Sequence, residues 1–533
     1  MNEHPVVLKK YLYLGSLIVY PMKKNSNAYT LIKSLTMSEK RYFKIFSERH
    51  TIGYQNKYVA LFHQLEKAEQ EDDWIISRNL RRNKVNADFL SADKNYLYQL
   101  ILKSLNDFHA SRTLNLEIKE ALLSVEILFH KGLYPECLKL IAKTETLAET
   151  CENFQLLIDL LMWKKKCCGY SLGLKKAAAV NLRIDDYIVL LGNLKRITDL
   201  YYESSELVVN HELYPEKEVL QKFKKIMASP ELKSEDKALS FSALTFYHLT
   251  WANYYTTCDD VEKEYVQLQK LINLLNASRT YAMENPMDYV SVYNRLLSIK
   301  KYFPDSDFGE DLEKLRSFAT RVEIRKEVVV QRVFIHVSTH ELEYYLLNNG
   351  VEQALNRTRE IKKQWLKEQE GIEPYHMIYF YYLHVVILIF AGLYQEALRF
   401  INKALLDFDF EARPQVYIRV EMLSVIMHFE LKNYSLVGAI ARQILREDKK
   451  QQILIPIEHS LLRALTKIAS ARLISRKQEM QILQQVFSEI KEAKKDLHRF
   501  GNTLLENYEK WIKAKLKHKT VLELMRSSGS DPD

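Results

Sequence analysis

Residues 132–143 read GLYPECLKLIAK, and residues 392–403 read GLYQEALRFINK. Seven of the twelve positions are identical: Gly132/Gly392, Leu133/Leu393, Tyr134/Tyr394, Glu136/Glu396, Leu138/Leu398, Ile141/Ile401 and Lys143/Lys403. A looser copy, KNYSLVGAIARQIL, starts at Lys432 and puts Tyr434 forty residues after Tyr394; another, NNGVEQALNRTREI, starts at Asn348. Repetition at such a period is the mark of supersecondary units stacked on one another. An apolar stretch with helical periodicity precedes each copy, over 118–130 and 375–390 for the first two. Each copy therefore predicts a helical hairpin. Glycine ends the first helix in the left-handed conformation, a small residue (Cys137, Ala397) lets the two helices approach, and Ile141 or Ile401 fills the facing groove.

Composition points the same way. The 533 residues include only 13 Gly and 11 Pro. Tight β-hairpins and glycine-rich phosphate loops need positive φ, for which glycine is the ready source, whereas long helices on short turns need little of it. The length exceeds one compact domain, so the chain is either several domains or a stack whose core grows by addition. Five cysteines without CxxC spacing suit a reducing compartment, with the adjacent Cys167 and Cys168 read as packed helix residues. No apolar run reaches the roughly 18–20 residues of a membrane span. The expected location is the cytoplasm.

The net charge of +9 is uneven: 16 Lys/Arg against 10 Asp/Glu over 22–113, and 19 against 12 over 441–533. Both flanks are basic and the middle is slightly acidic. Residues 1–21 read as an extension before a start-like Met22-Lys23-Lys24-Asn25. Over 22–113 an N-terminal helical domain is expected, with a capping box at Thr36 and Glu39, a helix near 57–70, a polar, basic segment over 74–87, and a long helix near 91–111. Hairpins of about forty residues should fill 114–490, including looser ones at 239–274 (turn at 256–260) and 289–319 (turn at 303–309). A last basic helix, within 476–522, should close the open end of the stack over 491–526, ahead of a disordered tail at 527–533.

The pattern Gly-Leu-Tyr-x-Glu-Ala-x-x-x-Ile-x-x-Ala, from Gly392 to Ala404, resembles the turn and second helix of a tetratricopeptide repeat (TPR). The likeness is good for that unit, fair for the 132 unit and schematic elsewhere. Tyr381, His384-Val385 and Leu388 stand where the family's first helix carries a Trp or other large residue, a Leu-Gly/Ala pair and Tyr, and the units run near forty residues rather than thirty-four. The resemblance implies an all-α fold: an α-α superhelix, a TPR-like solenoid of helical hairpins, with an N-terminal helical cap. It also implies that first helices line a concave groove, into which Tyr379, Tyr382 and Val386 of the aromatic run Tyr375, Tyr379, Phe380, Tyr381 and Tyr382 would point. Neighbouring aromatics on all sides of one helix cannot all face a core, and tyrosine suits recognition. The segments SLTMSEKRYFKIF (34–46) and KNYLYQLILKSL (94–105) resemble uncharacterised helical proteins of Bacteroidota, which implies no activity.

No phosphate-loop, dinucleotide-binding, nucleophile-elbow or zinc-protease motif is present. His336 and His340, one helical turn apart with Glu341 beside them, have the spacing of a metal pair, but the residue after His336 is Val337 and no third ligand is evident. No catalytic residue, metal or cofactor is expected. Arg78, Arg81, Arg82 and Lys84 could meet an anionic partner. The sequence thus points to a protein- or peptide-binding helical-repeat scaffold. The alternative is a nucleic-acid-binding regulator with a basic N-terminal domain and a TPR-like sensing domain.

Overall fold

The computed structural model describes residues 26–48, 56–83, 85–109, 113–210, 217–303, 307–321, 327–368, 374–408, 410, 413–471, 475–495 and 499–528. The expectations for 1–21, for most of the tail at 527–533, for Lys84 and for the side chain of Tyr375 lie outside what is described. The fold is all-α, and the described residues contain no strand. The chain divides into two compact units, the first ending at Leu191 and the second starting at Gly192.

The first unit opens with α1 (Asn27–Ser34), α2 (Met37–Glu48), α3 (Lys57–Lys67), α4 (Asp73–Arg82) and α5 (Leu90–His109). Their apolar faces meet around Ile32, Phe43, Phe62, Leu65, Leu97 and Ile101. The Thr36 capping box forms as expected: the Glu39 amide donates to Thr36 Oγ1 at 3.3 Å, and the Thr36 amide donates to Glu39 Oε2 at 2.8 Å. The polar stretch after residue 72 is itself a helix, α4. It carries few apolar residues, but Asp72 accepts from the amides of Trp74 and Ile75, and Ile76 and Leu80 are buried on one face. α6 (Leu114–His130), α7 (Tyr134–Thr150), α8 (Phe154–Ser171) and the start of α9 (Leu174–Asn210) share a second core around Ile118, Ile141, Leu157 and Leu161.

The second unit continues with α10 (Lys217–Met227), α11 (Phe241–Thr257), α12 (Val261–Ala277), the short α13 (Arg279–Glu284), α14 (Pro286–Lys300), α15 (Phe308–Thr320), α16 (Glu327–Leu347) and α17 (Val351–Glu368). Then follow α18 (Pro374–Phe390), α19 (Tyr394–Asp407), α20 (Pro414–Glu430), α21 (Tyr434–Gln451), α22 (Pro456–Ser470), α23 (Arg476–Ala493), α24 (Arg499–Leu516) and α25 (Val521–Ser528). From α14 to α21 each helix packs on the next. The alternate helices α12, α14, α16, α18, α20 and α22 also pack on one another as a row.

One turn geometry recurs. At the α6–α7 turn the Gly132 amide donates to Phe129 O and the Leu133 amide to Leu128 O, with Gly132 at φ +75°. The same pair of bonds closes α18 at Gly392, φ +74°. It also closes α7, α11 and α20, but there Glu152, Asp259 and Lys432 hold φ between 50° and 59°. These residues accept a left-handed conformation that costs glycine little. Only Gly392 has a steric reason beyond φ: a β-carbon there would stand 2.9 Å from the Thr520 methyl.

Two expectations change. The segment over 476–522 folds as three helices rather than one, broken by the turn after Ala493 and again at His518, φ +56°, after which Thr520 and Glu523 cap α25. The aromatic run on α18 is buried almost completely: Phe380, Tyr381 and Tyr382 are 4%, 3% and 5% exposed. From Met377 to Phe390 every side chain of α18 but Tyr379 is buried, because α16, α17, α19 and α20 surround the helix and α24 reaches it through Asn507.

His384, inside α18, carries a consequence for pH. Its ring lies 4.5 Å from that of Phe400, and burial, with Lys362 nearby, pushes its imidazolium down to about 3. A histidine charged below pH 6.5 in the unfolded chain but neutral in the fold removes stability as pH falls from 6.5 toward 3, at about 1.4 kcal/mol per pH unit. His384→Leu should flatten that acid limb in urea denaturation at pH 7, 6, 5 and 4. A wild-type acid slope surviving in the variant would assign the loss to other groups.

Candidate ligand-binding cavity

Along the row of alternate helices in the second unit lies a half-open cavity of about 490 Å³. α14, α16, α18 and α20 supply most of its wall, α9, α11 and α12 close one end, and Leu504, Asn507 and Lys510 of α24 form the opposite side. The size falls within the range of small-molecule and short-peptide pockets. Charged side chains set into this wall are tied into networks.

At one end Arg295 spreads its guanidinium over three partners. Nη1 donates to Asn253 Oδ1 at 2.5 Å, Nη2 to Thr256 Oγ1 at 2.8 Å, and Nε to Glu264 Oε1 at 3.2 Å. Asn253 in turn donates to Ser204 Oγ at 2.8 Å. In the middle Lys301 donates to Glu343 Oε2 at 2.8 Å, and the Tyr379 hydroxyl donates to Glu343 Oε1. Burial alone would raise the Glu343 carboxyl, but Lys301 and His340 outweigh it and hold it far below the usual carboxylate range. Burial and the facing Glu343 carboxylate push the Tyr379 hydroxyl well above its ordinary value. His340 Nε2 sits 2.9 Å from Asn294 Oδ1.

Beyond Tyr379 the rings of Tyr379 and Tyr382 stack with centroids 6.0 Å apart, and the Arg413 guanidinium lies over Tyr379 at 5.3 Å. Asn507 donates to the Tyr382 hydroxyl at 3.4 Å, and burial pushes that hydroxyl up to about 12. At the far end Arg419 forks onto Glu458, Nε to Oε1 at 3.1 Å and Nη2 to Oε2 at 3.4 Å.

Two of the three groove residues expected from sequence, Tyr379 and Tyr382, line this cavity; Val386 is buried at 1% exposure within the packing of α18 and does not reach it. Most of the remaining wall was invisible to sequence reasoning, because Arg295 and Lys301 on α14 and its end, Glu343 on α16 and Arg413 before α20 share no motif. His336 and His340 both line the cavity, but the described residues contain no group of three His, Cys, Asp or Glu side chains placed to hold a metal ion. In the first unit, Arg78, Arg81 and Arg82 stand exposed on α4, Arg78 over Trp74 at 5.2 Å and Arg81 paired with Asp88 at 3.2 Å. None of the described helices is long and apolar enough to cross a membrane.

No family model, curated protein or solved structure matches the chain.

The Lys301–Glu343 pair is buried on both sides, at 5% and 7% side-chain exposure. Removing one member of such a pair costs about 3–5 kcal/mol, whereas replacing both by apolar residues of like volume is often neutral. Glu343→Gln should therefore lower the urea midpoint strongly, and Lys301→Met/Glu343→Leu should recover most of the loss. Equal damage in the single and double variants would show that the pair is not the source of the cost.

Proposed function

We propose that this chain is a TPR-like recognition scaffold, not an enzyme, and that a peptide segment of a partner protein binds in the cavity of the second unit. The observation carrying this reading is the wall itself: side chains from successive alternate helices converge on one preformed opening. Networks such as Arg295–Asn253–Ser204 and Tyr379–Glu343–Lys301 hold those side chains in place before any partner arrives. A wall already ordered loses little entropy on binding. Stacked Tyr379 and Tyr382 add flat, amphipathic surface. The hairpin succession from α14 to α21, with α18–α19 carrying the repeat-like sequence, favours a superhelical course with the row of alternate helices on its concave side.

The test uses a steric block rather than a truncation, since the cavity tyrosines also support the fold. Random dodecapeptides displayed on phage would be selected against the full chain, and the affinity of the enriched peptides measured by fluorescence anisotropy. Ser291, exposed on α14 at the cavity edge, accepts a large side chain without disturbing the core. Ser291→Trp should weaken binding at least tenfold, about 1.4 kcal/mol, with an unchanged melting temperature. Undiminished affinity in that variant, or no enriched peptide at all, would remove the basis for this reading.

A further inference from the structure

We propose that two neighbouring turns of the first unit, α6–α7 and α8–α9, dock on an anionic lipid surface. The leucines at their tips enter the boundary between headgroups and acyl chains, and the lysines around them meet the headgroups. The inference concerns the first unit alone and does not rest on the peptide-recognition reading of the second.

Ring contacts hold the two turns together. Tyr134, the first residue of α7, stacks on Tyr170, near the end of α8, with centroids 5.6 Å apart and planes within 11°. Phe129 meets the two rings edge-on at 5.4 and 5.7 Å, and Trp163 at 5.3 Å. The cluster sits where the chain reverses, and it is not covered: Tyr170 is 73% exposed. Next to it, Leu172 and Leu174 flank Gly173, φ +92°, and are 46% and 81% exposed. Leu133 is exposed in the other turn. A leucine so far in the open adds little to the core, and apolar side chains gathered in this way mark a surface for a partner.

Charge names the chemistry of that partner. Over 126–140 and 163–181 the chain carries seven lysines and two carboxylates, Glu126 and Glu136. Lys164 is paired with Glu145 at 2.7 Å, outside those ranges, and Glu126 lies 4.0 Å from His130. Lys165 donates to the Asn181 side-chain oxygen at 2.6 Å, and Lys166 stands 4.1 Å from the Trp163 ring centroid. Both contacts leave the lysine charge uncompensated. Lys131, Lys175 and Lys176 make no ion pair with a described residue. The most exposed leucine, Leu174, therefore sits directly beside two unpaired cations.

An anionic bilayer accepts both kinds of side chain at once. Aliphatic groups enter the acyl boundary, tyrosine and tryptophan rings lie at headgroup level, and lysine stems run along the interface to bring their ammonium groups to phosphates. A nucleic acid would answer the lysines but leave the leucines at the turn tips in water.

Flotation of the full chain with vesicles tests the proposal. Expected is binding to phosphatidylcholine vesicles that contain about 30% phosphatidylglycerol, about tenfold weaker binding to phosphatidylcholine alone, and release as salt rises to about 0.5 M. Leu172→Ser/Leu174→Ser should weaken binding about tenfold with an unchanged melting temperature, since both side chains are exposed. Lys175→Gln/Lys176→Gln should weaken it about 25-fold, at roughly fivefold for each lysine. Arg78→Gln/Arg82→Gln, on the exposed face of α4, should float like the wild type. No flotation, or flotation indifferent to both turn variants, would overturn the proposal. Loss with the lysines but not with the leucines would reduce the contact to plain charge attraction and sink the insertion of the tips. Single-stranded RNA or polyglutamate bound through the same residues, with vesicles ignored, would give the surface to another class of partner.

Discussion

A single buried carboxylate ties the second unit together. Glu458 is fully buried and accepts from Arg419 of α20 and the Tyr508 hydroxyl of α24, the latter at 3.3 Å. It also accepts from the Ile455 amide at the start of its own helix, α22. An isolated charge at that depth would be prohibitive. With an arginine fork, a phenol and an N-terminal amide around it, the carboxylate instead fixes three helices in one register. The far wall of the cavity, at Arg419 and Asn507, is set by that register. Such a fully satisfied polar network specifies an arrangement more sharply than apolar contacts of equal area do. The cavity wall repeats the device at Glu343 and Glu264, so the charged groups set into the opening also fix the packing of its helices.

The parts of this fold that were legible in the sequence are those encoded locally. The Gly132 and Gly392 turns, the small residues Cys137 and Ala397 beside them and the Thr36 capping box each depend on contacts within a few residues, and all appear as read. The turns at Asp259 and Lys432, read from the sequence, and the one at Glu152, which was not, share the same backbone without glycine, because hydrogen bonds to the preceding turn stabilise the left-handed residue whatever its side chain. α4 escaped notice for a related reason: two buried residues and a good N-cap suffice for a short helix packed on a neighbour. The aromatic run of α18 misled in the opposite sense. A helix with neighbours on every side obeys no amphipathic rule, so the argument that its rings must partly face solvent fails at Phe380, Tyr381 and Tyr382.

The cavity was legible only in part, and the reason is distance along the chain. Tyr379 and Tyr382 were identified because the repeat-like pattern orients their helix. Lys510 contacts the carbonyl of Leu346 across 164 positions, and Arg295 meets Asn253 across 42. No local periodicity predicts such meetings. In the C-terminal basic stretch Lys513, Lys517 and Lys519 stay exposed, while Tyr508, Trp511 and Ile512 pack at 2%, 4% and 0% exposure and Lys510 and Lys515 reach the Leu346 carbonyl and Glu430.

The course of α24 alters what kind of object the second unit is. In a simple repeat array each unit touches only its neighbours, so the ends can fray or grow independently. Here Trp511 and Lys515 reach Glu430 on α20, Asn507 reaches Tyr382 on α18, Lys510 reaches α16, and Arg526 of α25 reaches Glu352 on α17 at 2.8 Å. The helices from α16 to α22 are thus clasped by a segment that follows them in the chain. As the polypeptide leaves the ribosome, that stack can form while its front face still lacks one side. The cavity is complete only when α24 emerges and docks, because Leu504, Asn507 and Lys510 form one of its sides.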